Sequence, residues 1–247
     1  MSLDQCADQY VLALSPRQDI VALSTRARNA DSYLRTEAIG LPERRATAES
    51  ILGAAPQIVV RNWGGDDLLL RDLERRRIRI LNIEDVTDFA GVAANIRRVA
   101  AGLNAVPAGE RLIRRMNAEL ATAAGAGRGR GVYYLTSGGD TAGPDVLVGA
   151  MIRAAGFANL DTRPGYSVIS LEGLLLHPPG LLVLGFFDQD MAASERWSVG
   201  REAALRRLVR GRQSVSLPAS ILGCPAWFAA DGAAALAAWA RAHPWGG

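Results

Sequence analysis

Two cysteines, Cys6 and Cys224, and two histidines, His177 and His243, are the whole supply of thiols and imidazoles in 247 residues. A His-rich metal site or a Ser-His-Asp arrangement is hard to assemble from so few. The cysteines are too few for a cluster and too far apart for a CxxC pair. No G-x-S-x-G or P-loop pattern occurs, and the stretch Ser137-Gly-Gly-Asp-Thr-Ala-Gly143 departs from G-x-G-x-x-G spacing. These residues predict a protein that is not an enzyme, has no resident cofactor and holds no metal on its own side chains. The aromatic residues are better placed for chemistry. Trp63 lies beside Gly64-Gly65 and Trp227 follows Pro225, turn settings in which a core tryptophan is less expected. Rings of this kind bury about 150–250 Å² each and can donate from an edge, which suits recognition of a large, flat, partly apolar ligand.

The composition allows a sizeable core, with 49% apolar and 21% charged residues. Its longest apolar runs, such as 181–187, fall far short of the roughly 20 residues that span a bilayer. All the basic residues are arginine, and the net charge is +3. The run Glu74-Arg75-Arg76-Arg77 sits among Asp66, Asp67 and Asp72, and no interleaved basic and aromatic stripe appears. Nucleic acid is therefore not an expected partner.

An internal repeat organises the elements that must carry these residues. Thr47-Ala-Glu-Ser-Ile-Leu-Gly-Ala-Ala-Pro-Gln-Ile-Val-Val is matched without a gap by Ser170-Leu-Glu-Gly-Leu-Leu-Leu-His-Pro-Pro-Gly-Leu-Leu-Val. In each copy Thr47 or Ser170 can cap a short helix, Glu49 or Glu172 favours its positive end, and Pro56 or Pro179 stops it. Ile58–Val60 and Leu181–Leu184 then read as buried parallel strands. A helix over 66–77 and a strand over 78–83 follow the first copy; a helix over 202–209 and a strand over 214–217 follow the second. Alternation of this kind predicts an α/β fold of two Rossmann-like lobes with mainly parallel sheets. Phe89, Val92, Ile96 and Val99, then Leu112, Ile113, Met116 and Leu120, keep helical spacing through a long connector between the lobes. The expected domains are an N-terminal lobe over 1–84, a helical connector over 85–128 and a C-terminal lobe over 129–247. A single helical crossover implies a stiff hinge, with the ligand cleft between the lobes.

Taken together, these residues resemble the helical-backbone class of binding proteins of ABC-type importers, which serves cobalamin, ferric siderophores, haem and some metals. The likeness rests on Ser2-Leu-Asp-Gln-Cys-Ala-Asp-Gln-Tyr-Val-Leu-Ala-Leu, Ala48-Glu-Ser-Ile-Leu with Pro56-Gln-Ile-Val-Val, Thr141-Ala-Gly-Pro, Ala154-Ala-Gly-Phe-Ala-Asn-Leu, Gly165-Tyr-Ser-Val-Ile-Ser-Leu-Glu and Pro225-Ala-Trp-Phe, and covers nearly the whole chain. Asn62-Trp63-Gly64-Gly65 and Trp227-Phe228 look most like cobalamin-binding members. Asp140 departs from the family, which has an aromatic before its Thr-x-Gly turn, and Tyr166 occupies the aromatic position of its loop. The resemblance implies a monomeric periplasmic protein whose signal peptide has been removed. Such a protein captures a metal chelate or corrinoid-like ligand and delivers it to ABC permease subunits.

In doubly wound sheets ligands sit beyond the carboxyl ends of the strands. That rule selects Trp63, Gly138, Thr141, Tyr166, Phe186 and Trp227 as ligand-binding residues, with Gly64 allowing close backbone approach. Cys6, at the start of the first helix, joins them as a cleft residue. A bond between Cys6 and Cys224 would lock the lobes together, which argues against a disulfide. Of Tyr133 and Tyr134, on opposite sides of one strand, at most one reaches the cleft. The resemblance also implies an acidic docking residue on each lobe, and the repeat register pairs Asp67 with Asp190. An oxyanion binder built on Arg61 and Arg163, a binder of a bare metal ion, and a chelatase-like two-lobed enzyme are the alternatives.

Overall fold

The structure, a computed structural model, describes residues 1–176, 179–188, 209–210 and 212–244. Asp190, His177 and most of the helix expected over 202–209 lie outside these. The chain divides into two compact units. Unit 1 holds residues 1–86, 90–115 and 224–227; unit 2 holds 87–89, 116–223 and 228–247.

Unit 1 opens with residues 1–3 in extended form, running directly into helix α1 (Gln5–Leu14). Strands β1 (Leu23–Ser24) and β2 (Glu43–Arg44) pair in parallel. Helix α2 (Ala48–Ala54) leads to β3 (Ile58–Arg61), and α3 (Asp67–Arg75) leads to β4 (Arg79–Asn82), which pairs in parallel with β3. The extended N-terminal residues join the two pairs. Ser2 N donates to Ala22 O, Leu3 N donates to Val60 O, and Ser2 bridges Val60 in parallel. Leu3, Ala22, Ile51, Val59, Leu69 and Leu73 form the core beneath.

Unit 2 is built on a parallel sheet ordered β10 (Ser214–Leu217), β9 (Leu182–Gly185), β5 (Gly131–Thr136), β7 (Ala158–Asn159). Alternation along β5 and β9 feeds both faces. Val132, Tyr134, Leu181 and Val183 join one apolar cluster with Met151 and Leu236, while Leu135, Leu182 and Leu184 join another with Ile169 and Leu174. Helices α6 (Leu147–Ala154) and α9 (Ala229–Ala242) cover the first face. Helix α7 (Leu171–Leu176) supplies Leu174 to the second. A short antiparallel pair, β6 (Asp140–Ala142) with β8 (Tyr166–Val168), flanks the sheet. Helix α8 (Ala219–Leu222) lies between β10 and α9 in the chain.

Both repeat copies fold as their residues dictate. Thr47 Oγ1 accepts from Ser50 N at 3.3 Å and Ser170 Oγ from Gly173 N at 3.1 Å, so each caps its helix. The following strands are parallel, as expected. The helical stretch after 85 is not one rod. It comprises α4 (Phe89–Gly102) and α5 (Val106–Ala123), separated by a turn in which Asn104 takes a left-handed backbone at φ 57°. Asn tolerates that conformation, and Pro107 fits the first turn of α5, where its missing N–H is not needed.

A second departure concerns the cysteines. Cys6 and Cys224 form a disulfide across 218 residues of chain, with Cα atoms 5.3 Å apart. The objection that such a bond would tie the lobes together fails because 224–227 belongs to unit 1, the same unit as Cys6. The segment is held there further by Tyr10 Oη, which donates to Pro225 O at 2.6 Å. In consequence the helical connector is not the sole crossing between the units.

Helix α1 also carries two buried carboxyls one turn apart, Asp4 at its N-cap and Asp8. Asp8 accepts from Ser24 N at 2.8 Å, Ser24 Oγ at 2.6 Å and Ser2 Oγ, which ties the end of β1 to the helix.

Two outcomes follow from this packing. Cys6→Ser with Cys224→Ser should lower stability by about 2–5 kcal/mol in guanidinium unfolding. Unreduced wild-type protein, once denatured, should show no thiol reactive towards DTNB; two reactive thiols would contradict the bond. Burial pushes the Asp8 carboxyl up to about 6, against the hydrogen bonds from Ser2 and Ser24 that pull it down. The folded protein thus holds this proton more tightly than the unfolded chain, and the charged form costs about 3 kcal/mol at neutral pH. That cost vanishes as pH falls from about 6 to about 4. Urea unfolding should therefore favour Asp8→Asn over wild type by about 3 kcal/mol more at pH 7 than at pH 4; a pH-independent difference would contradict the assignment.

Candidate functional site

The carboxyl ends of β1, β2 and β3 deliver three loops to one edge of unit 1, beginning at Thr25, Arg45 and Asn62. The third is fixed most firmly. Asp4 Oδ1 caps α1 through Ala7 N at 2.9 Å, while Oδ2 accepts from Asn62 N at 2.7 Å, Trp63 N at 3.2 Å and Gly64 N at 2.9 Å. Asn62 Nδ2 donates to Ile83 O at 2.8 Å and Asp85 Oδ1 at 3.1 Å. Gly64 O accepts from Arg61 Nε at 2.6 Å. Any Cβ on residue 64 would come within 2.6 Å of the Leu3 carbonyl, and Gly65 sits at φ +84°, so the double glycine is required for the turn to close on Leu3.

This leaves Trp63 53% exposed. The Arg26 guanidinium lies 5.6 Å from its centroid, within cation–π range. A concavity of about 460 Å³ opens there, and its lining includes Asp4, Ser24, Arg26, Arg44, Arg45 and Trp63. Arg26, Arg44 and Arg45 are all exposed. The one carboxyl in the lining, Asp4, is committed to backbone amides, so the rim presents positive charge beside an aromatic face. A concavity of about 420 Å³ also exists at the amino ends of β3 and β4, around Ile58 and Arg79. It lacks an aromatic ring and sits at the wrong end of the strands for the usual α/β binding site.

Of the unit 2 residues expected at a ligand surface, Tyr166 is 60% exposed, Gly138 is exposed and Phe186 is half-buried. Phe186 follows β9 in a left-handed backbone, φ 63°, an uncommon conformation for a bulky residue. The turn that leads into Tyr166 is held by two carboxylates. Asp161 accepts from Arg163 N and Nε, each at 3.0 Å, and from Nη2 at 2.9 Å, while Asp145 Oδ1 accepts from Gly165 N at 2.7 Å. The Arg163 guanidinium holds the Asp161 carboxyl below the usual carboxylate range.

Four residues expected at a ligand surface are instead buried. Cys6 is 2% exposed and spent in the disulfide. Gly64 is buried and turned onto Leu3. Thr141 is wholly buried on β6, and its Oγ1 has no hydrogen-bond partner among the described residues. Trp227 is 3% exposed and meets Tyr10 edge to face at 5.6 Å. The disulfide and the Tyr10–Pro225 bond draw its segment onto α1. Of the tyrosine pair, Tyr134 is buried and Tyr133 half-buried. Asp67 is exposed in the first turn of α3, which Asp66 caps through Leu69 N at 2.8 Å. Asp190, its expected counterpart, lies outside the described residues.

Sequence reasoning missed Asp4, Asp8, Arg26, Arg44 and Arg45. A signal existed for the first two: carboxyls four residues apart in a segment otherwise poor in charge, Ser2 to Leu14, share one helix face.

No protein-family model matches the chain. A cobalamin-binding protein of Halobacterium salinarum is 27% identical over 221 residues, covering 83% of this chain and 58% of that protein. The chain therefore spans less than two thirds of the length of this curated relative. Among solved structures, the periplasmic haem-binding protein RhuT of Roseiflexus sp. RS-1, in apo form, superposes with a TM-score of 0.75 at 22% identity, covering 98% of this chain and 97% of that one. The periplasmic vitamin B12-binding protein BtuF of Vibrio cholerae gives 0.63 at 17% identity, covering 98% and 95%. The chain thus has the α/β fold, with mainly parallel sheets, found in these periplasmic binding proteins.

Proposed function

We propose that this chain is the solute-binding component of an ABC-type importer and that its ligand is a tetrapyrrole metal chelate. The observation that carries the proposal is the exposed Trp63 ring beside Arg26, Arg44 and Arg45 in a concavity of about 460 Å³. The ring offers apolar area to a flat macrocycle, and guanidinium forks suit carboxylates. Haem, with two carboxylates on a planar ring, fits that pairing better than a corrinoid with neutral amide arms. Ferric siderophores share the negative charge without the flat face. In unit 2, Tyr166, Phe186 and Gly138 are the proposed ligand contacts. The relatives and structural neighbours named above are binding proteins, which supports capture without chemical conversion.

The same reading places the protein outside the cytoplasm. A buried disulfide fits an oxidising compartment, and the structural neighbours named above are periplasmic. Asp67 is the proposed unit 1 contact for arginines of the permease. An oxyanion reading through Arg61 and Arg163 loses support because Arg61 is bonded to Gly64 O and Asn82 Oδ1, and Arg163 to Asp161.

Tryptophan quenching, corrected for ligand absorbance, should give saturable binding of haemin in preference to cyanocobalamin or a ferric siderophore. Trp63→Ala should weaken it about tenfold, equivalent to about 1.4 kcal/mol. Replacing Arg26, Arg44 and Arg45 by Ala should weaken it further and flatten its dependence on salt. Saturable binding of cyanocobalamin alone would move the assignment to corrinoids. Saturable binding of the ferric siderophore alone, or no saturable response to any of the three, would overturn the tetrapyrrole reading.

A further inference from the structure

We propose that Asp4 is a positioning residue for ligand capture, fixing the Trp63 ring through the backbone of its turn. The inference rests on the reading of Trp63 as a ligand contact. Three consecutive amides, from Asn62, Trp63 and Gly64, converge on the single oxygen Oδ2 of a side chain that is 1% exposed. The other oxygen, Oδ1, is held by Ala7 N at the start of α1. Asp4 therefore couples a helix terminus to a loop some sixty residues further along the chain. Trp63 is about half exposed, so its own packing does little to fix it, and the backbone that carries it sets its place.

Each neighbour of Trp63 in the turn has a second tether, through Asn62 Nδ2 to Ile83 O and Gly64 O to Arg61 Nε. The amide of Trp63 itself has Asp4 as its acceptor. Removing Oδ2 leaves three neighbouring N–H groups without their acceptor, and the buried Gly64 amide has the least access to water as a replacement. Relaxation of the turn would swing the ring relative to Arg26, whose own loop is anchored separately through Ser24 and Asp8. Holding an aromatic ring in its bound orientation before the ligand arrives reduces the ordering cost of binding.

Serine caps helices as well as aspartate does but has one short oxygen, so Asp4→Ser keeps the cap on Ala7 and removes the clamp on the turn. Asp4→Asn, which keeps the side-chain shape, is the second variant should Asp4→Ser fold poorly. The full chain labelled with 5-fluorotryptophan gives one ¹⁹F resonance for each of five tryptophans, with that of Trp63 assigned by Trp63→Phe. Without ligand, Asp4→Ser should shift or broaden the Trp63 resonance and leave the other four in place. Haemin affinity should fall about tenfold in Asp4→Ser and show no further fall when the substitution is added to Trp63→Ala. An unchanged Trp63 resonance, or an equal loss of affinity in both backgrounds, overturns the proposal. If Trp63→Ala leaves haemin and cyanocobalamin binding unaltered, the ligand reading fails and the role of Asp4 in capture fails with it, while the ligand-free resonance still decides whether Asp4 fixes the ring.

Discussion

Burying a carboxyl group is costly unless its oxygens are satisfied, and unit 1 buries two on one face of its first helix. Both are satisfied by the backbone or hydroxyls of the loops that close the carboxyl edge of the sheet. Asp4 receives the amides of 62–64, and Asp8 receives Ser24 at the end of β1. The constraint works in both directions. The helix can be buried because the loops supply donors, and the loops are ordered because the helix supplies acceptors. Thr25, Arg26 and Trp63 then face solvent from backbones that are fixed beneath them.

The same helix gathers the rest of the unit. Gln9 donates to Ser32 Oγ at 2.9 Å and accepts from Leu34 N at 2.8 Å, which anchors the long irregular stretch between β1 and β2. Cys6 and Tyr10 hold 224–227, a segment drawn from far along the chain. Tyr10 is wholly buried, and burial raises its hydroxyl above the ordinary tyrosine range, so it stays a donor to Pro225 O at any pH the protein meets. Five side chains within seven residues, Asp4, Cys6, Asp8, Gln9 and Tyr10, thus reach four separate parts of the chain. A helix used in this way cannot slide or rotate without breaking several of those links at once.

Local physics made much of the fold legible in the sequence. The Thr47 and Ser170 caps, the prolines after them and the apolar runs that become β3 and β9 act within a few residues of one another, and the structure has them as expected. Trp63 was legible because paired glycines mark a surface turn. The remainder depends on distant partners. Strands β1 and β2 are two residues long, too short to show alternation, so the loops that carry Arg26, Arg44 and Arg45 could not be assigned to a strand edge. Trp227 looks like a loop residue beside Pro225 until Tyr10 and the disulfide, over two hundred residues away, draw it inward. Thr141 reads as a loop residue beside Gly138 and Gly139; it lies instead on β6, paired with Ser167 from a segment some twenty-five residues on, and is buried.

Structure determination of the protein crystallised with haemin tests the central claim most directly. The account predicts the macrocycle against the exposed face of Trp63, with its carboxylates within hydrogen-bond reach of at least one of Arg26, Arg44 and Arg45. Haemin bound away from Trp63, or stacked on it with both carboxylates turned from those arginines, would contradict it.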